Sequence, residues 1–163
     1  MTVAFNAEEI FDICITIEEN GKRFYEAAAK TATHQNVKNL FTELASWETM
    51  HIVLFTNLKN MLSGRASQSA TYDPDNELAD YVHAFASGHV FKSHASVNAI
   101  IDRCKSAADA LSMALGFEKD SVVLYAGLVR MVPVDMGRAE VEKILTEEVK
   151  HVGIIMKEME KLI

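Results

Sequence analysis

Glu48 and His51 lie three residues apart, and so do Glu148 and His151. On a helix that spacing puts both side chains on one face, where a carboxylate and an imidazole can reach the same metal ion. One such pair is common on any helix and says little. Here the two pairs repeat at an offset of 100 residues, and other residues repeat with them. The same offset takes Glu18 to Glu118 and Tyr25 to Tyr125. The apolar residues follow more loosely: Phe11 with Leu111, Leu44 with Ile144, Phe55 with Ile155, Leu62 with Leu162. Two similar helical hairpins related by a pseudo-two-fold axis would present equivalent ligands to two ions.

The residues around these groups are apolar at helical spacing. One stripe reads Val37, Phe41, Leu44, Glu48, His51, Phe55, Leu58, Leu62, and another reads Val141, Ile144, Glu148, His151, Ile155, Leu162. Glu118 interrupts a stripe of Cys104, Leu111, Val122, Tyr125 and Val129, and Glu18 one of Phe11, Cys14, Tyr25 and Ala32. Each stripe therefore turns a carboxylate toward the core. A buried, unpaired carboxylate costs several kcal/mol or shifts its pKa until it is neutral. Two divalent cations balance four carboxylates in charge, and two neutral imidazoles complete the donor set. One Glu from each of two helices, with Glu-x-x-His from each of the other two, is the arrangement of dinuclear metal sites in helical bundles.

The repeat also chooses between neighbours. Glu147 could face the same way as His151, but its counterpart is Trp47, which cannot ligate; Glu148 is the expected ligand. Glu19 corresponds to Lys119, so Glu18 is expected. Tyr25 and Tyr125 lie two turns beyond their glutamates and are expected to hydrogen-bond ligand carboxylates across the site. His34, His83, His89 and His94 lie off the stripes and read as surface or loop residues. Cys14 reads as a packed core thiol. Trp47 is expected to pack at the bundle flank or against a second copy. The methionines read as gap-fillers between helices, and Glu158 and Glu160 as a solvated face.

Four long helices must position these residues. They are expected over about 7–33, 35–62, 97–131 and 136–162, in a single domain spanning 1–163. Asn6 with Glu9 resembles a capping box for the first. Gly64 would close the second, the third would end before Pro133, and Asp135 would cap the fourth. The connection 63–96 starts as a polar loop, and Asp73-Pro74 could open a short helix reaching Phe85. A link of that length suits a bundle whose second and third helices run parallel, the connection crossing the bundle's length.

Composition agrees. The chain of 163 residues can bury a substantial core, and only two prolines and seven glycines interrupt it. A net charge of −7 gives no footprint for nucleic acid. No apolar run approaches the ~20 residues of a membrane span. The stretch from Ile10 to Ile17 contains Asp12 and follows no Lys or Arg, so it does not read as a secretory signal. Two cysteines without a C-x-x-C pair fit a reducing compartment. The expected location is the cytoplasm.

The stretches EENGKRFYEAAA (from Glu18), LFTELASWETMH (to His51), FEKDSVVLY (to Tyr125) and ILTEEVKH (to His151) resemble the rubrerythrin branch of the ferritin-like superfamily. The resemblance covers all four long helices and not residues 63–96. It implies an all-α, antiparallel four-helix bundle with a long crossover connection, and a carboxylate-bridged centre of two iron ions. Glu18, Glu48, His51, Glu118, Glu148 and His151 would be the ligands, with Glu18 and Glu118 terminal or bridging and Glu48 and Glu148 the preferred bridges. It also implies reaction with oxygen or hydrogen peroxide, and a homodimer. Full-length rubrerythrins carry a rubredoxin domain with four iron-binding cysteines. This sequence has only Cys14 and Cys104, so an external electron donor is expected. Rubrerythrin peroxidases carry a further glutamate three residues after the third-helix ligand, where this chain has Ser121, with Gly21 in the first half. The implied site is the more symmetric kind found in short rubrerythrin-like proteins. The expected function is oxidation chemistry at two irons. The alternatives are iron binding, storage or sensing, or a structural bundle loaded with Zn or Mn, since hard carboxylates with imidazoles accept all three metals.

Overall fold

The computed structural model describes residues 7–63, 77–88, 93–132 and 134–162. Its helices are α1 (Ala7–Thr31), α2 (Gln35–Ser63), α3 (Glu77–Gly88), α4 (His94–Arg103), α5 (Ala107–Met131) and α6 (Arg138–Glu160), with a 3-10 turn at Val134–Met136. Among the described residues there is no strand. The stripes meet in one core that includes Phe11, Phe24, Phe41, Leu44, Phe55, Leu111, Phe117, Leu124, Val141, Ile144 and Ile155, all buried.

Side-chain pairs set the directions. Tyr25 reaches Glu118 while Tyr125 reaches Glu18, so α1 and α5 are antiparallel. Trp47 meets His151 while His51 meets Glu147, so α2 and α6 are antiparallel. The short links within α1–α2 and α5–α6 make each of those pairs a hairpin. The four long helices thus form a ferritin-like bundle in the order α1, α2, α6, α5. The two middle helices of the chain, α2 and α5, run parallel, so the connection between them travels the bundle's length. On the way α3 packs on α5 and α4 packs on α1.

The expected third helix over 97–131 is two helices. No Pro or Gly marks the break. Ser106 caps α5 by accepting a hydrogen bond from Asp109 N, and Asp109 in turn accepts from Lys105 N at 3.0 Å. Cys104 is extended and closes α4, so it belongs to this junction and not to the stripe of α5. At the other end Val132 is extended, as the residue before a proline should be. Asp135 does not cap the last helix. It sits in the 3-10 turn, and the N-cap is Gly137 at φ 101°, where a Cβ would fall 2.2 Å from Leu58 Cδ2. Asn6, Gly64, Asp73 and Pro74 lie outside the described residues.

Two further readings change as well. Glu158 is buried, because it follows Ile155 by one turn on the inner face, and Lys161 Nζ meets its Oε2 at 2.6 Å. Met50, Met61, Met113 and Met156 are exposed and fill no gap. Trp47 is half-buried at the bundle flank, as expected, and there it packs on a histidine of the site, as described below.

At Gly21 of α1 the Phe117 ring of α5 packs close to the backbone. A Cβ there would lie 2.5 Å from Cζ of Phe117, a fully buried ring held edge-on against Tyr25. Gly21→Ala should therefore destabilise the fold by about 1–3 kcal/mol through overpacking. Alanine's better helix propensity, about 1 kcal/mol, works in the opposite direction. Urea unfolding checks the sign; a more stable variant would show that Phe117 moves aside freely.

Candidate metal centre

Each long helix brings its carboxylate to the middle of the bundle: Glu18 from α1, Glu48 from α2, Glu118 from α5 and Glu148 from α6. His51 and His151 stand one turn after Glu48 and Glu148. All six are buried. Nδ1 of His51 lies 3.3 Å from Glu18 Oε2, 3.8 Å from Glu48 Oε2 and 2.9 Å from Glu148 Oε1. Nδ1 of His151 lies 3.4 Å from Glu118 Oε2 and 3.3 Å from Glu148 Oε2. The imidazoles are 5.8 Å apart, centre to centre, and nearly parallel.

The donor atoms fall into two overlapping groups, each with its atoms within 4.8 Å of one another. One holds Glu18, Glu48, His51 and Glu148; the other holds Glu48, Glu118, Glu148 and His151. Glu48 and Glu148 belong to both. The two expected tyrosines also meet the site. Tyr25 Oη donates to Glu118 Oε1 at 2.5 Å, and Tyr125 Oη donates to Glu18 Oε1. Phe41 stacks on Tyr25, and Phe55 leans on Tyr125. Each phenol so fixes one oxygen of a carboxylate and leaves the other toward the centre.

Both oxygens of Glu48, Oε2 of Glu118 and Oε1 of Glu148 are buried without a hydrogen bond. The short contact of Glu148 Oε1 with His51 lies off the line of a hydrogen bond. Buried acceptors in this state are costly and call for an explanation. Cations among them supply one. The donor set of four carboxylates and two imidazoles suits iron, manganese or zinc, and these clusters could hold metal ions.

The electrostatics of the metal-free core show what an ion would replace. Burial opposes charge on His51, yet Glu148 and Glu18 beside it lift its pKa to about 11. His151, also against burial, is lifted to about 9 by Glu118 and Glu148. Burial, and then the charge of Glu18, pushes Glu48 well above the usual carboxylate range. Burial and Glu148 do the same to Glu118. Glu148 goes the other way: burial is outweighed by Glu118, His151 and His51 beside it, which hold it below the usual range. Burial and the neighbouring carboxylates raise both phenols, so Tyr25 and Tyr125 stay protonated. Protons thus stand in for cations.

A ligating imidazole must be neutral and a ligating carboxylate ionised, so metal binding expels these protons. At pH 7 both imidazoles are charged in the metal-free chain, because 7 lies below about 9 and about 11. Zinc added in weak buffer should release at least those two protons per chain, and affinity should rise with pH. A pH-indicator dye reads the release; binding without it would contradict the electrostatics.

Two residues at the site were not expected from the sequence. Trp47 stacks on the His151 ring at 4.6 Å with 10° between the planes. Glu147 places Oε2 3.0 Å from His51 Nε2. The repeat had ranked both as non-ligands, which says nothing about packing against a ligand. Their shared spacing, four residues before a histidine on the same face, was the available signal. Cys14 is a buried thiol raised by burial and by Glu18, as a core cysteine should be. His34 and His83 are exposed. His89 and the side chain of His94 lie outside the described residues. No described helix is long and apolar enough to cross a membrane.

The family model of the ferritin-like domain matches residues 6–161. No curated protein and no solved structure matches the chain.

Proposed function

The chain belongs to the ferritin-like domain family, and from that premise we propose that it is a dinuclear iron protein of the rubrerythrin type that reacts with hydrogen peroxide or oxygen. The observation that carries this reading is the pair Glu48 and Glu148. Each lies in both donor groups and each has buried oxygen without a hydrogen bond. Glu48 and Glu148 would bridge the two positions. Glu18 with His51 would hold one ion, and Glu118 with His151 the other.

Iron at the two positions would supply two electrons to the oxidant. The chain's own residues do the rest. Tyr125 and Tyr25 hold Glu18 and Glu118 in place by one oxygen each. Phe41, Phe55 and Phe117 pack against those two tyrosines and hold their rings in place. The buried phenols, kept protonated, hold their hydrogen between tyrosine and carboxylate. An external electron donor restores the reduced state. The proposed setting is the cytoplasm, and the proposed role is removal of peroxide under oxidative stress.

The test is rapid mixing of the iron(II)-loaded protein with peroxide, without oxygen. One peroxide should oxidise two irons to iron(III) and leave two waters after taking up two protons, with ferric absorption growing far faster than for free iron(II). Oxidation no faster than that of free iron would leave carriage or sensing of iron, or another native metal. Assembly separates storage from peroxide chemistry. Light scattering should find a homodimer; a large hollow assembly would favour storage.

A further inference from the structure

The two halves of the site match at every ligand and at both tyrosines, and differ at positions 47 and 147. Trp47 covers the face of His151, and Glu147 accepts at Nε2 of His51. Both stand on the seam between α2 and α6. On the opposite side of the bundle, α3 packs on α5 and α4 packs on α1. The Glu147 side chain is 33% exposed, so this seam is where the buried centre approaches the surface.

Nδ1 of His51 faces three carboxylates. With an ion at Nδ1, the hydrogen of the neutral ring is on Nε2, and it points at Glu147. That hydrogen bond fixes the tautomer and the ring plane and makes the ligating nitrogen more basic. The indole over His151 fixes a plane but offers no acceptor.

Resting on the dinuclear reading, we propose that Glu147 is a positioning residue that makes the two metal positions unequal. The position of Glu18 and His51 fills first, and the position of Glu118 and His151 fills second. The sequence repeat therefore disguises a functional asymmetry: one imidazole is held ready by a carboxylate, and the other is packed under a ring.

Zinc, which is redox-silent, tests this when added stepwise to the metal-free protein. Calorimetry follows the binding steps. Emission from Trp47, the single tryptophan of the chain, follows the His151 position. Two steps are expected, with the emission change arriving with the second equivalent. Glu147→Leu should weaken the first step by about 10- to 100-fold, the usual effect of losing such a partner, and leave the second step and the circular dichroism unchanged. Glu147→Gln, whose amide oxygen can still accept from Nε2, should recover most of the first step. Emission that changes with the first equivalent, or an unaltered first step in Glu147→Leu, would overturn the inference while two bound ions kept the dinuclear reading. Fewer than two zinc ions bound by the wild-type chain would overturn both.

Discussion

Glu148→Ala is expected to lose both metal ions, whereas Glu118→Ala is expected to lose chiefly one. Glu148 donates to both groups, and its two oxygens approach both imidazoles, His51 at 2.9 Å and His151 at 3.3 Å. Removing it takes a ligand from each ion and leaves two imidazoles without their nearest anion. Glu48 is shared in the same way, so Glu48→Ala should behave alike. Glu118 lies in one group only, as does Glu18. The affinity lost at the shared positions should exceed the 10–100-fold typical of losing an outer partner. Metal analysis after dialysis should fall from two ions per chain toward none in Glu48→Ala and Glu148→Ala. The helical signal should persist, because the hydrophobic core extends well beyond the site on either side. Full metal content in both variants would mean that the bridging assignment is wrong.

The second large effect is on stability. A ligand that binds the folded chain alone stabilises it by about 2.7 kcal/mol at a concentration of 100 Kd. Two ions at that concentration would therefore contribute about 5 kcal/mol. For a chain of this length each kcal/mol moves the melting temperature by about 2–4 °C, so loading should raise it by on the order of 10–20 °C. The effect should also depend on pH with a definite sign. In the metal-free chain His51 and His151 titrate at about 11 and about 9, above the ordinary value of 6.5. Their contribution is complete below pH 6.5 and is lost as pH rises through 9 and then 11. Glu48 and Glu118, also raised, act in the same direction above the ordinary carboxylate range. The metal-free protein should therefore weaken as pH climbs from 7 toward 10. The zinc-loaded protein, whose ligands have already given up their protons, should weaken much less. Calorimetric melts of both forms across that range measure the difference. Parallel pH profiles would show that protons do not occupy the place of the ions.

The centre was legible in the sequence because burial of a carboxylate is expensive. Glu18, Glu48, Glu118 and Glu148 each break an apolar stripe, and a chain that keeps four such breaks must compensate them. The repeat then separated Glu148 from Glu147 and Glu18 from Glu19, and the structure places the chosen residues together. The same logic found the two tyrosines beside the ligands but passed over two other neighbours. Trp47 and Glu147 are dissimilar in chemistry, so a rule seeking matched pairs passes over them, yet each meets the histidine of the other hairpin. The helix break at 104–106 escaped for a different reason. It is made by a polar cap, Ser106 with Asp109, inside a sequence without a breaker. Glu158 looked like a surface residue because it is charged and near Glu160; it lies one turn after Ile155 on the inner face and pairs with Lys161.

The most direct measurement is the number of iron(II) ions bound per chain without oxygen, by equilibrium dialysis of the metal-free protein and metal analysis. Saturation at two per chain, abolished in Glu148→Ala, is the result the account predicts. Saturation at one, or no stoichiometric binding, would contradict it and would require some other partner for the four buried carboxylates.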